Sequence, residues 1–171
     1  MQIHFKPFPD LYTERLQLRQ LALSDEHEIY VMRSDPRIIQ YLDRPEAKDL
    51  EAARQFIQNI NAGIAANQAI YWAIALKDNP TLIGTICMWN IAPEKSSVEL
   101  GYALHPDFQG KGYMQEALVK VVDYGFAVMK AQIIDAFSHP ENVSSIRLLQ
   151  KNNFIYREKE AGGFLKFTRS N

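Results

Sequence analysis

Apolar and polar residues alternate in several short segments of the chain, and a period of two residues is typical of half-buried β-strands. Segment 15–19 shows this alternation with two leucines at the apolar positions. Segments 71–76 and 82–90 flank the turn-forming cluster Lys77-Asp78-Asn79-Pro80 and together predict an antiparallel hairpin. Four more strands are predicted at 97–104, 132–138, 154–157 and 164–168.

Apolar residues spaced three or four apart predict helices between these strands. The first helix is predicted to end at Asp35-Pro36, because the residue before a proline avoids helical angles. A loop over 38–45 follows, and a second helix is predicted to begin at a cap at Asp49. Two further helices are predicted to follow Gly112 and Asn142.

The predicted elements come in the order strand, two helices, three strands, helix, strand, helix, two strands. Runs of antiparallel strands with helices packed on the sheet predict an α+β fold in three α/β/α layers, with a mostly antiparallel sheet of about six to seven strands. A chain of 171 residues has room for one full core, so we expect a single domain over 1–171. Residues 1–12 are expected to form an irregular lead-in.

Composition and charge exclude several classes of protein. The formal net charge of −1 argues against a broad nucleic-acid surface. Cys87 is the only cysteine and the four histidines lack ligand spacing, so we expect no disulfide within the chain and no metal. The sequence shows neither a membrane-length apolar run nor a signal-peptide pattern, so we expect a cytoplasmic protein without a membrane partner. It leaves open whether the protein is a monomer or a homodimer.

The segment Gln109-Gly110-Lys111-Gly112-Tyr113 lies where a predicted strand leads into a predicted helix. A helix start offers free backbone N–H groups and the positive end of the helix dipole, and glycines let an anion approach those groups closely. A phosphate-bearing ligand is therefore expected. The nucleotide P-loop would need glycine at His105, and the dinucleotide motif would need glycine at Gln115, so neither motif fits. A tight turn with capping glycines is the alternative interpretation.

The same segment resembles the Gln/Arg-x-x-Gly-x-Gly/Ala loop with which GNAT N-acetyltransferases hold the pyrophosphate of acetyl-CoA. The last position of that pattern is Met114 here, which is similar to the branch that acetylates N-terminal alanine or serine of ribosomal proteins. The predicted order of elements is also the GNAT order, and the resemblance spans about residues 13–168. It implies acetyl-CoA as co-substrate, bound in this loop by Gln109, Gly110, Lys111, Gly112, Tyr113 and Met114.

The resemblance also implies how the rest of acetyl-CoA is held. In the family, strand 97–104 splays from strand 132–138, and a bulge frees backbone groups that bind pantetheine and polarise the thioester carbonyl. Ala103 and Leu104 match those positions. If the strand is regular, its small face with Glu99, Gly101 and Ala103 leaves room for the pantetheine arm.

A second resembling segment begins at Asn142, which matches a family asparagine that contacts the cofactor arm. Many relatives place a tyrosine seven residues later to protonate the departing thiolate, and that position is Leu149 here. Ser145, which shares a helix face with Asn142, is the candidate replacement. Water in its place, or unassisted departure of the thiolate, remains open.

An amine must lose a proton before it can attack a thioester, since its reference pKa is roughly 8 for an N-terminus and about 10.4 for lysine. Glu99 is the first candidate for the general base, directly or through water, and Glu14 and Asp135 are weaker ones. The alternative interpretation of Glu99 is a solvated or salt-bridged side chain. Arg15 and Tyr41 are possible contacts of the acceptor.

These features predict an N-acetyltransferase that moves the acetyl group of acetyl-CoA to a primary amine by direct attack. The acceptor would be a protein N-terminus or a small-molecule amine. The alternative is a regulatory module of the same fold that binds acyl-CoA without turnover, which Leu149 in place of tyrosine favours. A third possibility is an acyltransferase that uses a longer acyl group. The fold alone does not identify the acceptor.

Overall fold

The structure is a computed structural model that describes residues 1–42 and 44–171. The helices are α1 (Glu26–Met32), α2 (Pro36–Ile39), α3 (Leu50–Ala65), α4 (Tyr113–Ala127) and α5 (Val143–Lys151). The strands are β1 (Leu11–Tyr12), β2 (Leu16–Arg19), β3 (Ile70–Leu76), β4 (Asn79–Ala92), β5 (Ser97–Leu104), β6 (Ile133–Ser138), β7 (Ile155–Lys159) and β8 (Leu165–Ser170).

The described strands form one eight-stranded sheet in the order β1-β2-β3-β4-β5-β6-β8-β7. Every neighbouring pair is antiparallel except β5 and β6, which are parallel. This confirms the predicted α+β class and the mostly antiparallel sheet.

Helices cover both faces of the sheet, and paired residues show which helix covers which face. Tyr71 on β3 pairs with Cys87 on β4, and its ring packs against Phe56 of α3 with 5.8 Å between centroids. The next residue, Trp72, points to the other face, where its ring lies 5.4 Å from that of Tyr124 on α4. The sheet is therefore the middle of three layers, as predicted.

The structure corrects three local predictions. The sheet has one strand more than the upper limit of the predicted range, because Leu11–Tyr12, assigned to the irregular lead-in, pairs with β2. The hairpin turn is tighter than predicted, since β4 begins at Asn79 inside the predicted turn cluster. The first helix ends at Met32, and Pro36 begins a short helix instead of only ending one, since proline suits the first position of a helix.

The parallel pair in the middle of the sheet separates along its length. Its ladder runs from Ser97↔Ile133 to Leu100↔Ala136 and ends there, although β5 continues to Leu104 and β6 to Ser138. The pairing of β5 with β4 stays regular from Trp89↔Glu99 to Gly84↔Leu104. A splayed central pair is thus present, but the bulge expected near Ala103 and Leu104 is not. The gap instead comes from the divergence of β6.

Gly84 lets β4 approach β5 at the splayed end. A Cβ at this position would lie 2.7 Å from the backbone oxygen of Ala103, which cannot rotate away. We expect Gly84→Ala to lower the free energy of unfolding by about 1–3 kcal/mol, as overpacking does. Urea denaturation measures this, with Gly162→Ala as the control because a Cβ there meets no atom within 4 Å among the described residues. Equal unfolding midpoints for the two variants would contradict the close approach.

Candidate active site

The glycine loop, residues 109–113, connects the end of β5 with the start of α4 through a short 3₁₀ turn at Pro106–Phe108. Gly110 and Gly112 have φ of 74° and 80°, angles that L side chains rarely adopt. A Cβ at Gly110 would meet no atom within 4 Å in the described part of the chain. The loop therefore leaves open space beside the first backbone N–H groups of α4, which is the environment that binds anions.

Two residues between β1 and β2, Thr13 and Arg15, hold the glycine loop in place through Glu116 and Lys111. Arg15 donates from Nε to Glu116 Oε2 at 2.8 Å and from Nη1 to the carbonyl of Lys111 at 2.9 Å, and its guanidinium lies 4.5 Å from the centroid of the Tyr113 ring. Thr13 also donates to Glu116. Burial raises the pKa of Glu116, but the hydrogen bonds from Thr13 and Arg15 lower it further and keep it below its ordinary value. Arg15 thus lies at the glycine loop, and its suggested contact with the acceptor stays a prediction.

A cleft of about 270 Å³ extends from this loop to α5 and the splayed end of β5. Nearly all the residues that the family resemblance assigned to acetyl-CoA line it. These are Ala103, Leu104, Gln109, Gly110, Gly112, Tyr113, Met114 and Asn142, with Ser145 beside them. Lys111 does not line the cleft, and its ammonium group donates to the carbonyl of Asp107 at 2.9 Å.

The far end of the cleft contains a pair of hydroxyl groups. The phenol oxygen of Tyr102 lies 2.8 Å from Ser145 Oγ. Burial raises the pKa of Tyr102 to about 12, so its hydroxyl is protonated at neutral pH. Asn142 caps α5 by accepting from the backbone N–H of Ser145 at 3.2 Å, which confirms the predicted cap and orients that first turn.

Tyr102 was missed by sequence reasoning, which assigned pantetheine to the small face of β5. The structure places Tyr102 and Leu104 of the other face on the cleft, together with Ala103. The alternation of β5 did separate the two faces correctly, since the pairing with β4 is regular. Which face of β5 is covered by α5 could not be predicted from the sequence of β5, because it depends on the path of the chain after β6.

The opposite face of β5 carries Glu99 and Gly101 next to Cys87 and Trp89 of β4. Glu99 accepts a hydrogen bond from Asn90 Nδ2 at 2.5 Å and does not line the cleft. A Cβ at Gly101 would lie 3.1 Å from Cys87 Sγ. Burial raises the pKa of the Cys87 thiol to about 12, which leaves it protonated and unsuited to act as a nucleophile.

The weaker candidates for the general base lie elsewhere. Asp135 is occupied, since it accepts from Thr168 Oγ1 at 2.6 Å and pairs with Lys166 Nζ at 3.3 Å. Glu14 lies exposed between β1 and β2. Tyr41 lines the cleft, and its ring packs against that of His139 with 5.8 Å between centroids.

Two positions that depart from the family pattern have clear structural roles. Leu149, where relatives have tyrosine, is fully buried on the core side of α5. Asn153, where glycine is usual, follows α5 with φ of 62°, an angle that asparagine tolerates better than most residues.

Comparison with known proteins agrees with the geometry. The profile of the acetyltransferase (GNAT) domain matches residues 15–155. The p20 protein of Bacillus licheniformis, an uncharacterised N-acetyltransferase, is 38% identical over 144 residues, which are 84% of this chain and 81% of p20. The chain belongs to the GNAT acetyltransferase family. The resemblance found in the glycine loop is thereby confirmed, and the protein is an acetyltransferase.

Solved GNAT structures share the fold over nearly the whole chain. Ribosomal-protein-S5-alanine acetyltransferase from Vibrio fischeri superposes with a TM-score of 0.81 at 24% identity, covering 95% of this chain and 97% of its own. RimL, a ribosomal L7/L12 alpha-N-protein acetyltransferase solved in complex with coenzyme A, superposes with a TM-score of 0.83 at 20% identity. The match covers 95% of this chain and 98% of the RimL chain. At these identities the likeness establishes the fold.

None of the helices in the described part of this GNAT chain is long and apolar enough to cross a membrane.

Proposed function

We propose that this protein transfers the acetyl group of acetyl-CoA to a primary amine by direct attack of the amine. One observation carries the proposal: a single cleft joins an open glycine loop at a helix start to a hydroxyl pair at the splayed end of β5. GNAT acetyltransferases use acetyl-CoA, and that cleft offers an anion site at one end and polar groups for the reacting end at the other. The acyl group of acetyl-CoA arrives as a thioester.

The residues that hold acetyl-CoA in this proposal act mainly through the backbone. The N–H groups of the glycine loop and of the first turn of α4 bind the pyrophosphate, and the dipole of α4 adds to their attraction. Gln109 donates to the carbonyl of Leu104 at 3.0 Å, so it fixes the end of β5 relative to the loop. Beyond Leu100 the edge of β5 that faces β6 has left the ladder, and its backbone groups can bind pantetheine and the thioester oxygen.

The proton from the acceptor amine goes to Glu99 in this proposal, directly or through water. Glu99 lies on the face of β5 that is turned away from the cleft, and its pairing with Asp135 is one residue before the β5–β6 ladder ends at Leu100. In this proposal the amine approaches from the side of α3 and meets the thioester beyond the end of that ladder. The hydrogen bond from Asn90 orients the Glu99 carboxylate.

The experiment that tests this function is turnover of acetyl-CoA with a panel of peptides and small amines, followed through release of the thiol. Acetylated product should appear in the same amount as free thiol, as confirmed by mass spectrometry. Binding of acetyl-CoA without product for any amine would instead support the non-catalytic acyl-CoA-binding module. Faster turnover with longer acyl-CoA thioesters would indicate a different acyl group.

We expect Ser145→Ala to slow turnover about 5- to 30-fold. The two hydroxyls of Tyr102 and Ser145 lie 2.8 Å apart, and either could donate to the other. In this proposal Tyr102 donates to Ser145 and Ser145 donates to the departing sulfur, so the variant loses one hydrogen bond of about 1–2 kcal/mol to the reacting centre. Steady-state kcat and the Kd of acetyl-CoA separate the effects, since only kcat should change strongly. Tyr102→Phe should lower kcat as well, by removing the donor behind Ser145.

The matched control is Ser144→Ala, because Ser144 neighbours Ser145 but donates to Asn142 Oδ1 at 3.1 Å and makes no contact with Tyr102 that the structure shows. If Ser145→Ala and Ser144→Ala share the kcat of the parent, the thiolate departs with help from water alone.

A further inference from the structure

One charged side chain lines the cleft of the candidate active site, and it does not come from the glycine loop. Arg37 lies in α2, and with Ile38 and Tyr41 it forms part of the cleft wall. Among the lining residues that the structure describes, Arg37 is the only one with a charged side chain. Acetyl-CoA carries a pyrophosphate and a ribose phosphate, so a cation in this cleft faces a strongly anionic ligand.

Two neighbouring charges place Arg37 near the glycine loop. Hydrogen bonding to Arg37, and more weakly the charge of His105, lowers the pKa of Asp35 to about 2. Hydrogen bonding to Asp35, and more weakly the charge of Asp107, raises the pKa of Arg37. His105 and Asp107 belong to the 3₁₀ turn that leads into the glycine loop. Arg37 therefore lies at the end of the cleft where the pyrophosphate is proposed to bind.

The two basic residues closest to the glycine loop in this fold have other contacts. Lys111 donates from its ammonium group to the carbonyl of Asp107, and Arg15 donates to Glu116. Neither of the two lines the cleft. Arg37 is thus the cation that the described part of the chain presents to a ligand in the cleft.

The position of Arg37 is fixed by its own short helix. Asp35 caps α2 by accepting from the backbone N–H of Arg37 at 2.9 Å, and the next residue, Ile38, is buried in the core. The Asp35 carboxylate also accepts from Arg37 Nε at 3.1 Å and Nη2 at 2.6 Å. A guanidinium group has five N–H donors in all. Because the Arg37 side chain stays 60% exposed, it is accessible to a ligand despite this ion pair.

We propose that Arg37 binds a phosphate group of acetyl-CoA. Guanidinium groups bind phosphates through paired charge-assisted N–H···O bonds, which an ammonium group cannot arrange in the same planar way. Asp35 orients the guanidinium beforehand and competes with the phosphate for it. The inference rests on the proposed use of acetyl-CoA and adds a residue outside the glycine loop that recognises the charge of the donor.

The experiment compares the Kd of acetyl-CoA, measured by calorimetry, for the parent and for Arg37→Gln. We expect the variant to bind about tenfold more weakly, as the loss of a charge-assisted hydrogen bond does. The same comparison with 3′-dephospho-acetyl-CoA identifies the phosphate. The difference between variant and parent disappears if Arg37 binds the ribose phosphate, and it persists if Arg37 binds the pyrophosphate.

Asp35→Asn separates a contact with the ligand from a role in holding α2. Asparagine retains the cap of α2, since it is as good a capping residue as aspartate, but it removes the charge that competes with the phosphate. Acetyl-CoA should therefore bind to Asp35→Asn at least as tightly as to the parent. If the ion pair served only to hold α2 in place, Asp35→Asn and Arg37→Gln would both weaken binding.

Arg54→Gln is the matched control. Arg54 is also an exposed arginine in an ion pair, since it lies 2.8 Å from Glu26 and 2.9 Å from Glu51, but it does not line the cleft. Its substitution should leave the Kd of acetyl-CoA at the parent value, and circular dichroism verifies that each variant is folded.

Equal Kd values for Arg37→Gln and the parent overturn the inference, and so does a loss of affinity that Asp35→Asn shares. In both cases, tight binding and turnover of acetyl-CoA by the parent leave the proposed function standing. A folded parent enzyme that does not bind acetyl-CoA overturns the proposed function itself.

Discussion

Gly110→Asp should weaken acetyl-CoA binding about 100-fold or more. Gly110 lines the cleft where the loop faces the first turn of α4, and the space beside it is open. A carboxylate there would meet the pyrophosphate, and two like charges about 4 Å apart near a protein surface repel by roughly 4 kcal/mol. The measurements are the Kd of acetyl-CoA by calorimetry and the rise of Tm at saturating acetyl-CoA, which mass action produces in the parent.

Gly110→Asn is the control for backbone strain, because asparagine has nearly the size of aspartate and both tolerate positive φ. It should retain most of the affinity, so that the difference between the two variants reports the charge. Gly112 is less suitable, since its Cβ would lie 3.3 Å from Arg15 Nη2, and the guanidinium would neutralise part of a new carboxylate. Equal Kd values for Gly110→Asp and the parent would exclude this loop as the pyrophosphate site.

Glu99→Gln should lower kcat about 100-fold or more at pH 7 while the Kd of acetyl-CoA stays the same. Glutamine keeps the shape of the side chain and its contact with Asn90, but it cannot accept the proton of the acceptor amine. The defect should shrink as pH rises above the pKa of the acceptor, roughly 8 for an N-terminus, because the amine then loses its proton to solvent. A pH profile of kcat for both enzymes measures this.

Glu94→Gln provides the matched control, since Glu94 is an exposed glutamate in the turn just before β5. Its kcat should follow that of the parent at every pH. A Glu99→Gln enzyme with the same profile as Glu94→Gln would show that Glu99 is only a hydrogen-bonded surface residue and that another group removes the proton.

The features that could be predicted from the sequence depend on neighbours along the chain. The glycine loop required residues that adopt positive φ before a helix, and Gly110 and Gly112 do so. Asn142 and Asp49 cap the helices that follow them, because a cap bond reaches only two or three residues. The two faces of β5 also follow from local alternation. Such preferences act over a few residues, so they can be recognised in the amino-acid sequence.

Only the tertiary structure decided which of these local features meet. Tyr102 and Ser145 form a hydroxyl pair across 43 positions, and Arg15 holds the glycine loop through Glu116 across 101. The gap between β5 and β6 arises because their ladder ends at Leu100. Pairing between distant segments is set by the packing of the whole core and leaves no periodic signal in either segment.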